Sequence, residues 1–180
     1  MNRYFLMGLA MLIAACASHQ KKHIPLIHVS HIYSDNMAEK EAATKESVDI
    51  ENRARNLIFA IIQKDRESIL KQIHPDQGAG IDAKSKDSLT DVRKELYNED
   101  GILYPVFWDT EKLKKLYPNS DLKSYQDYFS EAEEIMLDLF FYNSSECEVK
   151  IKFLNRPPAG VMGNLIYFKN NGQWFLMRLF

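Results

Sequence analysis

The chain has 180 residues, of which 27% are charged, and its formal net charge is -2. This composition is typical of one globular domain and excludes a disordered or fibrous chain. Acidic and basic residues are intermixed along the sequence, so the chain offers no broad positive field to a phosphate backbone. We therefore expect no nucleic-acid partner.

The first fifteen residues have the pattern of an export signal. Arg3 and the amino terminus form a short positive head, residues 4–13 form an apolar segment, and Ala14 and Ala15 offer small side chains to a peptidase. A helix that crosses a bilayer needs roughly 20 apolar residues, and this segment is only about half that length. We predict that residues 1–15 are a signal peptide that is removed.

The end of this signal, Ile13-Ala14-Ala15-Cys16, resembles the lipobox of bacterial lipoproteins. The resemblance implies cleavage between Ala15 and Cys16, diacylation of the Cys16 sulfur and acylation of the new amino terminus. Several acyl chains anchor a protein stably, whereas a single chain is marginal. Ala17 follows the cysteine in place of an acidic retention residue, which favours the outer membrane over the inner membrane. An ordinary secretory signal with an incidental Cys16 is the alternative.

Residues 16–45 are polar and weakly patterned, and we predict a tether between the lipid and a globular domain at 46–180. Four histidines lie in this tether: His19, His23, His28 and His31. They offer imidazoles to a borderline metal ion, but their spacing is loose and neither a cysteine nor a carboxylate lies among them. We expect a solvated tether, with no metal and no cofactor.

Helices are predicted to open the domain. Apolar residues recur at helical spacing from 47 to 63, with a start as early as Asn36 possible, and a second helix covers 66–73 behind an Asp65 cap. A third helix is predicted at 89–98, where Ser88 and Asp91 form a capping box. Residues 102–108 are a candidate strand that Pro105 restricts to an edge or bulge, and two short helices fit 111–117 and 121–129.

The C-terminal third has the patterns of β-strands. Residues 147–153 alternate apolar and charged side chains, with Glu148, Lys150 and Lys152 on the wet face. Asn170-Asn171-Gly172 separates two apolar runs, which is a strong hairpin signal, and a strand is also favoured before residue 143. Cys147, on the alternating strand, is expected to be a free thiol.

Helices followed by an antiparallel meander that contains "NGQW" resemble the nuclear transport factor 2-like cone fold, and "NLIFAIIQKDRESILKQIHPD" is similar to the paired opening helices of that superfamily. The predicted fold class is therefore α+β, with N-terminal helices packed on a C-terminal antiparallel β-meander in a cone-like arrangement. The resemblance does not imply one function, because this superfamily contains enzymes, binding modules and scaffolds.

Few residues are candidates for chemistry. His74, in the turn His74-Pro75-Asp76, and Asp138, which interrupts an apolar run, could each act as a general base. Asp138 could also pair with Arg178 across the sheet. The terminal hairpin is apolar on both faces, so its second face needs the short helices, an apolar ligand or a partner protein. A pocket there would have Trp174 as its wall and Arg178 as its polar contact.

Two functions remain open from the sequence. The first is a lipid-anchored envelope protein that is not an enzyme and binds a small apolar ligand or another envelope protein. The second is a pocket enzyme of the isomerase or hydratase type that uses Asp138 or His74 as its base. Because the domain has few titratable groups among many aromatic ones, the sequence favours the binding module.

Overall fold

The computed structural model of the protein describes residues 23–33, 40–80, 86–154 and 164–179. The signal peptide and Cys16 lie outside these ranges, as does His19. The elements in chain order are β1 (Leu26–Tyr33), α1 (Lys40–Gln63), α2 (Arg66–Leu70), α3 (Leu89–Tyr97), α4 (Leu103–Trp108), α5 (Thr110–Leu116), α6 (Tyr125–Glu131), β2 (Glu134–Asn143), β3 (Glu146–Phe153), β4 (Leu165–Asn170) and β5 (Gln173–Arg178).

The five strands form one mixed sheet in the order β1-β2-β3-β4-β5. Strands β2 to β5 are an antiparallel meander, as the sequence predicts, and β1 lies parallel to β2 at one end. The predicted hairpin is confirmed: Asn171 and Gly172 have φ of 51° and 79°. Two consecutive positive φ values are the geometry of a type I′ turn, which matches the twist of the strands it joins.

One face of the sheet is the core face. The apolar stripe of α1 packs against it, and its residues are fully buried: Ile50, Ala54, Leu57, Ile58 and Ile61. On the strands the buried positions alternate as the pleat requires, for example Leu137 and Leu139 on β2 and Leu165 and Tyr167 on β4. Each large aliphatic side chain buried here stabilises the fold by about 1.5–3 kcal/mol.

The opposite face, the outer face, is mixed in character. Lys150 and Lys152 are on β3, as predicted for a wet face, while the hairpin places half-buried Phe168 and Phe175 there and leaves Met177 38% exposed. The ring of His74 contacts Phe175 edge-on at 4.6 Å. The turn that contains His74 therefore covers part of the hairpin's second face, whereas the sequence predicts that the helices of 111–129, a ligand or a partner cover it.

The predicted tether is wrong for residues 26–33, which form β1. Ile27 is buried and pairs with Ile135, and Val29 packs on the core. His28 is half-buried and His31 is exposed, and each approaches an acidic side chain: His28 Nε2 is 3.0 Å from Glu134 and His31 Nε2 is 3.9 Å from Glu51. Apolar Ile27 and Val29 alternate with polar His28 and Ser30, which is the local pattern of a strand with one wet face.

The predicted strand at 102–108 is also wrong, because Leu103–Trp108 is helix α4. Pro105 is the third residue of this helix, where the missing backbone N–H would have no intrahelical partner in any case. The aromatic residues face the core, and Trp108 Nε1 donates a hydrogen bond to the Ile61 carbonyl at 2.9 Å. Burial of these side chains, rather than strand pairing, explains the apolar run.

The other predicted helices are confirmed with small shifts. Helix α1 begins at Lys40, before the predicted residue 47, and Asp65, Ser88 and Ser124 cap the helices that follow them. In the part of the chain that the structure describes, no helix has both the length and the apolar character needed to cross a membrane. The fold is thus α+β, with helices and one five-stranded mixed sheet.

Candidate functional site

A groove of about 550 Å³ lies between α1 and α2, which we call the α1–α2 groove. Its volume is within the range of small-ligand sites, about 300–1,000 Å³. Its lining is mostly polar and comes from one face of α1 and from the segment that begins at α2: Asp49, Asn52, Arg53, Asn56, Phe59, Ala60, Gln63, Asp65, Ser68, Lys71 and Gln72.

A tight turn between the two helices sets the shape of this groove. Lys64 has φ of 59°, its N–H donates to the Ile61 carbonyl, and the Asp65 N–H donates to the Ala60 carbonyl at 2.8 Å. These two bonds form a Schellman motif, in which a left-handed residue ends the helix. Asp65 then caps α2 by accepting the Ser68 N–H at 3.0 Å. One helix thus ends and the next begins within two residues.

The charged groups of the groove are largely engaged by neighbours. Arg53 Nε donates to Asp49 Oδ2 at 3.2 Å, one helical turn away. The Ser68 hydroxyl donates to Asp65 Oδ2 at 2.6 Å, and the hydrogen bonds from Ser68 hold the pKa of the Asp65 carboxyl below its ordinary value. The carboxylates of Asp49 and Asp65 thus each accept a hydrogen bond from a neighbour, which leaves the amides and the Lys71 ammonium as the uncommitted polar groups.

Gln72 forms a buried part of the groove lining, and hydrogen bonds from the sheet hold it in place. Its backbone N–H donates to the Ile69 carbonyl, and its carbonyl accepts from the Leu176 N–H at 2.7 Å. The hydroxyl of Tyr167 donates to Gln72 Oε1 at 3.1 Å. Burial raises the pKa of the Tyr167 phenol, so the hydroxyl keeps its proton. Among the described residues no acceptor bonds to Gln72 Nε2, so this amide retains two donors.

Asp138 is not part of this groove. It lies on β2 between β1 and β3, where it accepts the Ser30 hydroxyl at 2.6 Å and forms an ion pair with Lys152. We call these three residues the Asp138 cluster. Burial alone would raise the pKa of Asp138, but the hydrogen bonds from Lys152 and Ser30 outweigh it and hold the pKa below its ordinary value. A carboxylate held in this way is a poor general base.

The structure does not bring the predicted pocket residues Asp138, Arg178 and Trp174 together. Two strands separate Asp138 on β2 from Arg178 on β5, so the predicted pair does not form. Trp174 is 1% exposed and lies in the core against Phe141, where it cannot be the wall of an open site. Arg178 is half-buried opposite Ile166, at a bulge in the β4–β5 ladder.

His74 has both ring nitrogens engaged in the turn that it begins. Nδ1 accepts the backbone N–H groups of Asp76 and Gln77, each at 3.1 Å, and Nε2 contacts the side-chain amide of Asn170 at 2.7 Å. A general base needs a nitrogen that faces the substrate. The geometry therefore assigns His74 to holding the turn against the hairpin.

The α1–α2 groove is not predicted from the sequence, although the sequence contains part of its signal. Asp49, Asn52, Arg53 and Asn56 recur at helical spacing opposite the apolar stripe, and this polar stripe is unusually rich in amides. No group of three or more metal-binding side chains occurs within the described ranges. Cys147 is a buried free cysteine, and burial raises the pKa of its thiol.

Comparison with protein-family models, with curated proteins and with solved structures finds no match to this chain. Its class is therefore defined by its own architecture: an α+β domain with a five-stranded mixed sheet and a polar groove between its first two helices.

Proposed function

We propose that this chain is a lipid-anchored protein of the bacterial cell envelope that acts as a binding module, with the α1–α2 groove as its binding site. The lipobox at Ile13–Cys16 supports the anchor. The state of the polar groups supports binding over catalysis: the titratable groups considered for catalysis are engaged, whereas the groove amides are exposed or retain donors.

A cone-like fold of the nuclear transport factor 2 type is the finer architecture that we propose. The pair α1 and α2, followed by the antiparallel meander β2–β5, supports it. The parallel strand β1 is an addition to the arrangement predicted from the sequence. In this proposal the acylated Cys16 inserts into a membrane, for which the outer membrane is the preferred location. The α1–α2 groove binds the ligand.

The anchor is tested by labelling cells with palmitate. We expect the full chain to be labelled and Cys16→Ser to lose the label and accumulate as a precursor, because serine has no thiol to accept the diacylglyceryl group. Cys147→Ala is the matched control and should keep the label, since a buried thiol acts as a small apolar side chain. Label retained on Cys16→Ser would refute the anchor. Separation of the inner and outer membranes then tests the location.

A further inference from the structure

We infer that the α1–α2 groove binds a neutral, hydroxyl-rich ligand, namely a saccharide. This inference rests on the proposed function and names the ligand class of the same site. The charges of the lining balance, since Asp49 and Asp65 are matched by Arg53 and Lys71. A lining without net charge gives no overall electrostatic preference for an anion or a cation.

The amides of the lining match the chemistry of a sugar. Asn52, Asn56 and Gln63 each combine two N–H donors with a carbonyl acceptor, and Gln72 adds the two donors that its bond with Tyr167 leaves unused. A sugar hydroxyl also donates and accepts, so adjacent hydroxyls are satisfied by groups that do both. An anionic ligand requires donors alone and a cationic ligand requires acceptors alone, and the amide-rich lining provides neither arrangement.

Gln72 supplies the rigid part of this surface. Its Oε1 is held by the buried hydroxyl of Tyr167, so the amide plane is fixed before a ligand arrives and its two remaining donors have a set direction. Such preorganisation lowers the entropic cost of binding. Phe59 in the same lining is half-buried and offers an apolar ring to the C–H face of a sugar. The groove thus combines fixed donors, adaptable amides and one aromatic ring.

The test uses the full chain in a zwitterionic detergent without sugar headgroups. The ligands are a panel of neutral di- to tetrasaccharides of glucose, galactose, mannose and N-acetylglucosamine, with oligogalacturonates as anionic counterparts, and binding is measured by calorimetry and saturation-transfer NMR. We expect neutral members to bind and the double variant Asn52→Ala/Asn56→Ala to bind at least tenfold more weakly. Alanine favours helix, so the variant should fold. Asn119→Ala removes an exposed amide outside the groove and should bind normally.

Failure of the ligand class is distinguishable from failure of the binding site. If no neutral saccharide binds, or if the groove variant binds them as well as the wild type, the saccharide inference is refuted. If the oligogalacturonates instead bind and the groove variant alone loses them, the groove remains a binding site for another ligand class. If no ligand distinguishes the groove variant from Asn119→Ala, both the inference and the proposed site are refuted.

Discussion

The Asp138 cluster and the α1–α2 groove are both polar regions beside the core, and they differ in how many of their hydrogen-bonding groups are already used. In the cluster, each carboxylate oxygen of Asp138 has its own partner, one on β1 and one on β3. In the groove, Asn52 and Asn56 are exposed, and Gln72 uses only its oxygen. A region whose groups are satisfied internally joins strands, whereas a region with unused donors and acceptors is able to bind.

Replacement of the centre of the cluster should have the largest effect on stability. Asp138→Ala removes the acceptor of Ser30 and Lys152, and we expect a loss of about 2–3 kcal/mol in the free energy of unfolding, since hydrogen bonds to charged groups contribute about 1.5–3 kcal/mol. Asp138→Asn keeps an acceptor for Ser30 and should lose about 1 kcal/mol, because Lys152 is largely exposed. Urea unfolding measures the loss in each variant. Equal losses in the two variants would mean that the ion pair with Lys152, and not the hydrogen bond from Ser30, supplies most of the stability.

The same cluster predicts a dependence on pH. The folded state holds the pKa of Asp138 below its ordinary value near 3.8, so the stability it contributes is present above that value and is lost as the pH falls through the folded-state pKa. The difference in stability between the wild type and Asp138→Asn should therefore be constant above about pH 5 and shrink progressively below it. A difference that grows on acidification would contradict this.

Removal of the hydroxyl behind the groove should have an intermediate effect. Tyr167→Phe leaves Gln72 Oε1 buried without its donor, and we expect a loss of about 1–2 kcal/mol in the free energy of unfolding. The control is Tyr97→Phe, whose hydroxyl bonds to exposed Glu67 at 3.0 Å and whose removal should cost less than about 0.5 kcal/mol. Equal effects would show that the buried bond does not fix Gln72.

The smallest effect concerns the turn that shapes the groove, and it has the opposite sign. Lys64→Gly relieves a left-handed conformation that is unfavourable for residues with a Cβ, and we expect a gain of about 0.5–1 kcal/mol in the free energy of unfolding. Lys94→Gly, inside α3, should lose about 1 kcal/mol. Thermal unfolding of the two variants checks the sign; a loss in both would contradict the Schellman assignment.

Local patterns carried most of the fold prediction. Three kinds of feature were predictable because the interacting residues lie within a few positions of one another. They are the hairpin at Asn171 and Gly172, the helix caps at Asp65 and Ser88, and the alternation of side chains in β3. In each case both interacting residues fall within one short stretch of sequence. Strand β1 depends instead on pairing with a strand more than a hundred residues away: Ser30 and Asp138 are 108 positions apart. No local pattern contains that contact.

The groove could be predicted only in part for a similar reason. Asn52 and Asn56 mark a polar helical face, but such faces are usually solvated. The groove forms because the turn at Lys64 brings Gln72 beside that face and because Tyr167, from β4, fixes the glutamine. The sequence of α4 was ambiguous for a different reason. Its apolar run with a proline is compatible with a strand and with the first turn of a helix, and the burial of its aromatic side chains in the core favours the helix.

The position of β1 limits how far the domain can stand from a bilayer. The strand begins at Leu26, ten positions after Cys16 (26 − 16), and an extended chain advances at most about 3.6 Å per residue, so the connection reaches roughly 36 Å. A tether that continued to residue 45 would have reached roughly 100 Å. If Cys16 carries the proposed acyl chains, the edge of the sheet is restricted to a thin layer above the lipid headgroups, and a ligand for the groove must be found within or next to that layer.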